Sequence, residues 1–531
     1  MSKVLRTSSL GEIRGKVGDR VVQYLGVKYA ALKNRLAEPE LVESRDGEIL
    51  DATKDGPTTV SPPGGWDMEV AHMQHALPKK ELAQSDVDCL NLNITVPEGT
   101  VASPNLPVFV FIHGGGLSVG ANSWPQLDCA RLVKLSSEKN VPIIAVSMNY
   151  RVGVFGFLTS EELRNAGYKA NNGLRDQIVA LRWVQKHIRG FGGDPENVTL
   201  CGMSAGAASV TYHLQSDAQL FKRAIVMSGS YYATSPMPLG AHEANYKKAI
   251  EALGLAGQSP EERIRVLLET PGPELISKFP PHIVRVAPAI DGEVVLPLQS
   301  LAQTAEGKAN GSKAREYCTE LLIGDAQCDT SILAFLMPHL KNGCAKKFRS
   351  AINSVLISFP TAAQEILDKY GISDAEDDKA FLGILDFASD AMYTAPVLSL
   401  AKGWNGNAYV YYFNEQNPWE GPWKGKTNHI LDLTYLFQNF EEFLTPEQKA
   451  VGAVFAEDFC KFCHGIAPWT AAGQREDFTA RVYGPVSEGV TATTVSQPYG
   501  GETGRRSILF EYTDKIPLDE FMKVFGAFMT R

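Results

Sequence analysis

Residues 197–207 read Asn-Val-Thr-Leu-Cys-Gly-Met-Ser-Ala-Gly-Ala, and the rest of the chain is interpreted around them. The pattern predicts a short apolar strand, a sharp turn and a helix. In such an elbow the serine lies on a strained turn, and glycine is needed two positions before and after it because side chains there would clash. Ser204 is therefore the predicted nucleophile. The free amides at the start of the following helix, beginning with Ala205, favour an oxyanion at the same place.

The composition is that of a large globular protein. The chain has 531 residues, 44% of them hydrophobic and 21% charged, with a formal net charge of −9. Basic residues occur only in short, scattered clusters, so we expect no nucleic-acid partner. Because no signal-peptide pattern and no membrane-length apolar run is present, we predict a cytoplasmic protein without a membrane span. Eight scattered cysteines favour reduced thiols over a disulfide framework.

Strand and helix patterns alternate on both sides of the elbow. The clearest are strands at 107–112 and 142–149, a helix at 171–190 and an N-terminal β-hairpin within 10–30. This alternation predicts one α/β domain over 1–531, with a mostly parallel central sheet flanked by helices. After about residue 235 the pattern loosens, and we predict helical insertions at 235–320 and 330–405 that cover the active site. The segment at 517–530 has the pattern of an amphipathic helix.

A second glycine-rich turn supports the interpretation of the elbow. His113-Gly-Gly-Gly116 follows directly on a predicted strand, where backbone amides can approach a substrate oxygen. We predict an oxyanion hole formed by the amides of Gly115, Gly116 and Ala205. A reactive serine also needs a histidine as base and a carboxylate that orients it. Composition does not choose among the ten histidines, although His429 lies in a suitable loop after a Tyr-rich strand.

Further motifs accompany these two turns. They are Tyr24-Leu-Gly-Val-Lys-Tyr-Ala30, Asp88-Cys-Leu-Asn-Leu-Asn93, Asn149-Tyr-Arg-Val-Gly-Val-Phe-Gly-Phe-Leu158, Asn172-Gly-Leu-Arg-Asp-Gln177 and Phe191-Gly-Gly-Asp-Pro195. Together with the elbow they resemble the type-B carboxylesterases, the cholinesterase-like branch of the α/β-hydrolases, from about residue 20 to about 470. The resemblance implies the α/β-hydrolase fold and a small-molecule ester as substrate. It implies neither a cofactor nor a metal.

The resemblance also implies site residues. The segment from His429 to Tyr435 is similar to the family motif His-x-x-Asp-Leu-x-Tyr, which makes His429 the general base. Asp329 stands where the family usually has its acidic glutamate, with Asp325 as the alternative, and Ser228 resembles the serine that supports this acid. An aspartate is shorter by one methylene, about 1.5 Å of reach. We therefore expect the loop to lie closer to the histidine, or a water to bridge the two.

The substrate pocket is expected to be largely apolar and uncharged, built by the loop at 55–85 and by the insertions. Met203 replaces a glutamate that is common in the family, which disfavours cationic substrates. The candidate pocket residues are Met203, Leu117, Trp124, Tyr231 and Tyr232.

These features predict a serine hydrolase that cleaves carboxylic esters of uncharged, largely apolar small molecules through an acyl-enzyme. Two alternatives stay open. The same serine could serve acyl transfer, lactone, cyclisation or elimination chemistry in a small-molecule pathway, or the chain could be a non-catalytic binding protein. A homodimer is also left open.

Overall fold

A large mixed sheet organises the computed structural model, which describes residues 2–45, 47–100, 105–307, 313–472, 478–497 and 505–531. The strands of this sheet are β1 Ser2–Thr7, β2 Gly11–Val17, β3 Val21–Lys28, β4 Leu50–Ala52, β5 Asn91–Pro97, β6 Leu106–Ile112, β7 Ile144–Met148, β8 Gly193–Met203, β9 Arg223–Met227, β10 Glu320–Ala326, β11 Asn407–Phe413, β12 Ala480–Tyr483 and β13 Ala492–Val495. Their spatial order is β1-β2-β3-β5-β7-β6-β8-β9-β10-β11-β12-β13, and β4 pairs with β2.

The centre of the sheet is parallel, and its margins are antiparallel apart from the parallel pair β2–β4. All neighbours from β7 to β12 run parallel. The pairs β1–β2, β2–β3, β3–β5, β5–β7 and β12–β13 run antiparallel. The predicted mostly parallel sheet is confirmed, and the predicted N-terminal hairpin is β2 with β3. Strand β1, which the sequence did not predict, extends the hairpin to a three-stranded meander.

Helices fill the connections between the strands. The α-helices are α1 Gly65–Met73, α2 Ala130–Glu138, α3 Gly153–Phe157, α4 Glu161–Asn165, α5 Asn172–His187, α6 Ala205–His213, α7 Tyr231–Thr234, α8 Leu239–Ala252, α9 Pro260–Glu269, α10 Gly272–Ser277, α11 Leu301–Ala305, α12 Lys313–Tyr317, α13 Ser331–Leu336, α14 Cys344–Val355, α15 Pro360–Lys369, α16 Asp377–Ser389, α17 Ala395–Lys402, α18 Leu431–Phe437, α19 Pro446–Cys463, α20 Ser507–Glu511 and α21 Leu518–Met529. None of these described helices is long and apolar enough to cross a membrane.

Hydrophobic cores lie on both faces of the sheet, and strand β6 shows why. Its residues are buried throughout, apart from the partly buried Leu106. Val108, Val110 and Ile112 pack into the core that contains α5 and α6, whereas Phe109 and Phe111 pack into the core that contains α2, α18 and α19. Successive side chains of a strand point to opposite faces, so a continuously apolar strand requires helices on both sides.

The two predicted insertions lie between consecutive parallel strands. Between β9 and β10 the chain forms α7 to α12, and between β10 and β11 it forms α13 to α17. Residues 308–312, inside the first predicted insertion, lie outside the described residues.

The loops that carry the predicted site all leave the same edge of the sheet. The glycine turn follows β6, the elbow follows β8, the acid loop follows β10 and the histidine loop follows β11. Because these four strands are parallel, their carboxyl ends meet at one edge, where ligands of open α/β sheets bind.

Candidate active site

The elbow adopts the strained geometry that its glycines permit. Ser204, between β8 and α6, has φ 57° and ψ −121°. A Cβ atom on Gly202 would lie 2.2 Å from the carbonyl oxygen of Gly206, and one on Gly206 would lie 2.1 Å from that of Ile112. Only glycine fits at either position. The strain holds Ser204 at the edge of the sheet, where the residue is partly exposed.

Ser204, His429 and Asp329 form a continuous chain of contacts. His429 Nε2 lies 2.9 Å from Ser204 Oγ, and His429 Nδ1 lies 2.8 Å from Asp329 Oδ1. His429 and Asp329 are buried. With Asp329 ionised, the imidazole donates its Nδ1 proton to the carboxylate, so Nε2 faces the serine as an acceptor. The arrangement has the geometry needed to remove the proton of Ser204.

The shorter aspartate reaches the histidine without a bridging water. Asp329 Oδ2 accepts a hydrogen bond from the amide of Ala326 at 3.0 Å, which orients the carboxylate. Two residues further on, Ser331 Oγ accepts a hydrogen bond from the backbone amide of His429 at 2.9 Å. The acid loop therefore fixes both the side chain and the backbone of the histidine.

Asp325, the alternative acid, contacts other groups. Arg506 donates to its Oδ1 at 3.3 Å, and the hydroxyl of Thr394 donates to its Oδ2. Burial raises the pKa of Asp325 to about 6, against the opposing charge of Arg506. The structure thus brings Asp329, and not Asp325, against His429.

The predicted oxyanion amides are free donors. In the part of the chain that the structure describes, the amides of Gly115, Gly116 and Ala205 have no hydrogen-bond acceptor. The glycine turn lies against the nucleophile, since a Cβ on Gly114 would be 3.2 Å from Ser204 Cβ. Three free donors beside a serine can stabilise a negatively charged oxygen on a carbon bonded to that serine.

Ser228 supports a different carboxylate from the one predicted. Its hydroxyl donates to Asp432 Oδ2 at 3.2 Å, and Tyr411 donates to the same oxygen at 3.3 Å. Burial raises the pKa of Asp432 to about 7, and the charge of neighbouring Asp329 contributes to this increase. The prediction that Ser228 holds Asp329 is corrected accordingly. Sequence reasoning missed Asp432, although it is the aspartate of the histidine motif itself.

Two more rings lie beside the imidazole, and a carboxyl group interacts with it through its charge; no sequence signal marks any of the three. The rings of Tyr393 and His72 lie 5.9 and 6.5 Å from that of His429. Burial lowers the pKa of His72 to about 3, so its ring is neutral at physiological pH. One turn before it on α1, burial raises the pKa of Glu69 to about 7. The environment of His429 therefore holds titratable groups from distant parts of the chain.

A cavity of about 1480 Å³ opens beside these residues. Ser118, just after the glycine turn, and Thr330, just after the acid, form part of its wall together with Tyr393. The rest is largely apolar and includes Pro62, Pro63, Phe279, Leu298, Leu333, Met337, Met392, Met522, Phe525 and Met529. The loop at 55–85 and both insertions contribute residues to the lining, and so does helix α21, which the sequence analysis did not place there.

The expectation of an uncharged pocket is wrong at two positions. Arg285 and Lys523 belong to the lining, and both residues are exposed. Both are cations, and no carboxylate belongs to the lining among the residues that the structure describes. The cavity is therefore apolar with a positively charged margin.

Of the five predicted pocket residues, Tyr232 alone belongs to this lining among the described residues. Tyr231 is 2% exposed and packs against other tyrosines. Trp124 borders a separate cavity of about 160 Å³. Met203 lies in the core under α18 and α19, because the last side chain of β8 points to that face. Leu117 is buried in the other core, the one that contains α5 and α6.

The site has the features of an α/β-hydrolase. A serine, a histidine and an aspartate are hydrogen-bonded in series at the carboxyl edge of a parallel sheet, and the serine lies on a strand-turn-helix elbow. Comparison with known proteins narrows this class. The chain belongs to the carboxylesterase family, whose pattern matches residues 1–468, and it is a carboxylic ester hydrolase.

Individual relatives agree with this assignment. The chain is 30% identical to the juvenile hormone esterase of Heliothis virescens over 480 residues, covering 81% of this chain and 77% of the relative. It is 29% identical to the para-nitrobenzyl esterase of Bacillus subtilis over 459 residues, covering 83% of this chain and 84% of the relative. A solved PNB esterase structure superimposes with a TM-score of 0.72 at 24% identity, covering 95% of this chain and 99% of that one, which supports the fold.

Proposed function

We propose that the protein hydrolyses carboxylic esters by a serine mechanism, on substrates that are apolar and uncharged around the reacting carbonyl. The observation that carries the proposal is the chain of contacts from Ser204 Oγ through the imidazole of His429 to Asp329. Each member holds the atom that the mechanism needs within hydrogen-bond distance of the next.

The first half-reaction forms an acyl-enzyme. Ser204 Oγ attacks the ester carbonyl carbon while His429 Nε2 takes the hydroxyl proton, and Asp329 stabilises the imidazolium. The amides of Gly115 and Gly116, with that of Ala205, hold the oxyanion. His429 then gives the proton to the leaving alcohol as the carbon–oxygen bond breaks. In the second half, water takes the place of the alcohol as nucleophile, and the same proton transfers release the acid and restore the serine.

The apolar lining supports the substrate part of the proposal. An uncompensated charge next to the buried Asp329 and His429 would be unfavourable, since the nearby wall offers few polar partners. Eight buried cysteines, all free thiols, support a reducing compartment such as the cytoplasm as the location.

The test is turnover of p-nitrophenyl esters with short, medium and long acyl chains, together with fluorophosphonate labelling. Ser204→Ala should lose both turnover and labelling, whereas Ser137→Ala, at a partly exposed position of α2, should keep both. Products are analysed with and without an added alcohol, which separates hydrolysis from acyl transfer. Turnover that survives in Ser204→Ala, or transfer to the alcohol in place of hydrolysis, would contradict the proposed function.

A further inference from the structure

The charged groups of the large cavity are unequally distributed. The chain has more acidic than basic residues, 60 against 51. The described part of the cavity lining nevertheless contains two cations, Arg285 and Lys523, and no carboxylate. The groups at its margin therefore attract an anion, and nothing in this wall repels one.

Arg285 is the cation that is free to bind a ligand. It lies in the segment between α10 and the short strand Ala289–Ile290, and its backbone is fixed by two hydrogen bonds to the side chain of Asn245. In the described chain, the hydrogen bonds of Arg285 involve only its backbone, and no ion pair engages its guanidinium. Lys523 differs because Glu520 already pairs with it at 2.7 Å. A planar guanidinium on an anchored backbone suits a carboxylate, which it can bind through two parallel hydrogen bonds.

The apolar wall determines where on a substrate such an anion could be. A second anionic group near the triad would lie close to the carboxylate of Asp329 and to apolar side chains, because the free amides there bind the reacting carbonyl oxygen. A carboxylate at the far end of a long apolar chain would instead emerge at the margin. Four methionines in the lining, Met337, Met392, Met522 and Met529, have flexible side chains that adapt to such a chain. The volume of about 1480 Å³ exceeds the range of roughly 300–1,000 Å³ for ordinary ligand pockets.

We propose that the preferred substrates are esters with a long apolar chain that ends in an anionic group, and that Arg285 binds this end at the margin of the cavity. The proposal rests on the proposed function, because it concerns which esters reach Ser204. It makes Arg285 a specificity-determining residue with no part in the chemical steps.

The experiment compares substrates that differ only in the charge of the distal end. One set comprises p-nitrophenyl esters of linear diacids, from succinate to long-chain homologues, each with a free distal carboxylate. The matched set carries a methyl ester at that end. A second arm places the carboxylate on the alcohol side, as acetates of ω-hydroxy acids and their methyl esters. The readout is kcat/KM for the carboxylate substrate divided by kcat/KM for its methyl ester at each chain length. This ratio is measured at low and at high salt.

For wild type we expect a ratio below one for the shortest chain and above one in at least one arm at the longer lengths. Arg285→Gln should lower the long-chain ratio by about threefold to tenfold, as for a partly exposed charge-assisted contact. Arg285→Lys should retain part of the preference, and Lys523→Gln should change the ratio less, since its charge is already paired. Arg182→Gln, an exposed charge on α5 outside the cavity, is the matched control and should leave the ratio unchanged. The wild-type preference should weaken as salt increases.

Ratios below one at every length in both arms, or equal ratios in wild type and Arg285→Gln, would overturn the proposal. In those cases turnover of the neutral methyl esters would leave the proposed function intact. Absence of turnover for every ester, with no labelling of Ser204, would overturn the proposed function and this inference with it.

Discussion

Asp329→Asn removes the charge of the triad acid without changing its shape. In the wild type, Oδ1 accepts the Nδ1 proton of His429 at 2.8 Å, and Oδ2 accepts the Ala326 amide at 3.0 Å. Asparagine offers one acceptor oxygen and one NH2 group, so it can satisfy only one of these two donors. If its oxygen stays on Ala326, the NH2 group faces Nδ1 and stabilises the tautomer that is protonated at Nε2. That tautomer cannot accept the proton of Ser204.

We therefore expect kcat to fall about 10⁴-fold, equivalent to about 5 kcal/mol of barrier. The assay is turnover of a p-nitrophenyl ester and the rate of fluorophosphonate labelling, with circular dichroism to verify folding. Asp325→Asn is the matched control, because it makes the same change on β10 at an acid that contacts Arg506 and not His429. Its kcat should stay close to that of wild type. A loss of less than about tenfold in Asp329→Asn, or an equal loss in Asp325→Asn, would refute the assignment of the acid.

Three further predictions concern the scaffold of the site. Gly206→Ala should abolish activity and soluble expression, because its Cβ would lie 2.1 Å from a carbonyl oxygen. Gly240→Ala on α8 is the control and should be tolerated, since a Cβ there meets nothing within 4 Å. An active Gly206→Ala enzyme would contradict the elbow geometry. Asp432 has a folded-state pKa of about 7 against about 4 unfolded, so it binds its proton more tightly in the folded state and its contribution to stability is lost as pH rises. We expect the free energy of unfolding of the wild type, measured with denaturant, to fall by about 3 kcal/mol relative to that of Asp432→Asn between about pH 5 and 8. Parallel pH profiles of the two proteins would contradict this. Arg151→Met leaves the fully buried Asp176 without its ion pair and should lower the free energy of unfolding by about 3–5 kcal/mol, whereas a change below about 1 kcal/mol would show that the pair is dispensable.

The parts of the site that the sequence predicts are those determined by local geometry. The elbow needs glycine at fixed positions around Ser204, and the glycine turn must follow a buried strand directly, so both leave a pattern in a short stretch. The direct contact of Asp329 with His429 leaves no such pattern. It depends on how closely two loops approach each other in space, although Asp329 and His429 are 100 positions apart in the sequence.

The pocket predictions failed for a related reason. Met203 is next to the nucleophile in sequence, but it shares a strand face with Cys201, and both are buried in the core under α18 and α19. The period of two along a strand could have shown this. The amphipathic pattern of α21 predicts a helix with one buried face, but it cannot show that Met522 and Phe525 reach a cavity lined by residues from distant parts of the chain.

The C-terminal segment contributes to the cavity wall from outside the region that the family pattern matches. The family pattern ends at residue 468, whereas α21, at 518–529, forms part of the cavity wall. A buried ionic cluster joins the two parts: Arg505 and Arg506 both bind Asp390, and Arg506 also binds Asp325 at the end of β10. Asp390 begins the turn that carries Tyr393 to the imidazole of His429. The C-terminal segment is thus anchored directly beside the acid loop, and one ionic cluster holds both a wall of the cavity and the turn that places Tyr393 against His429.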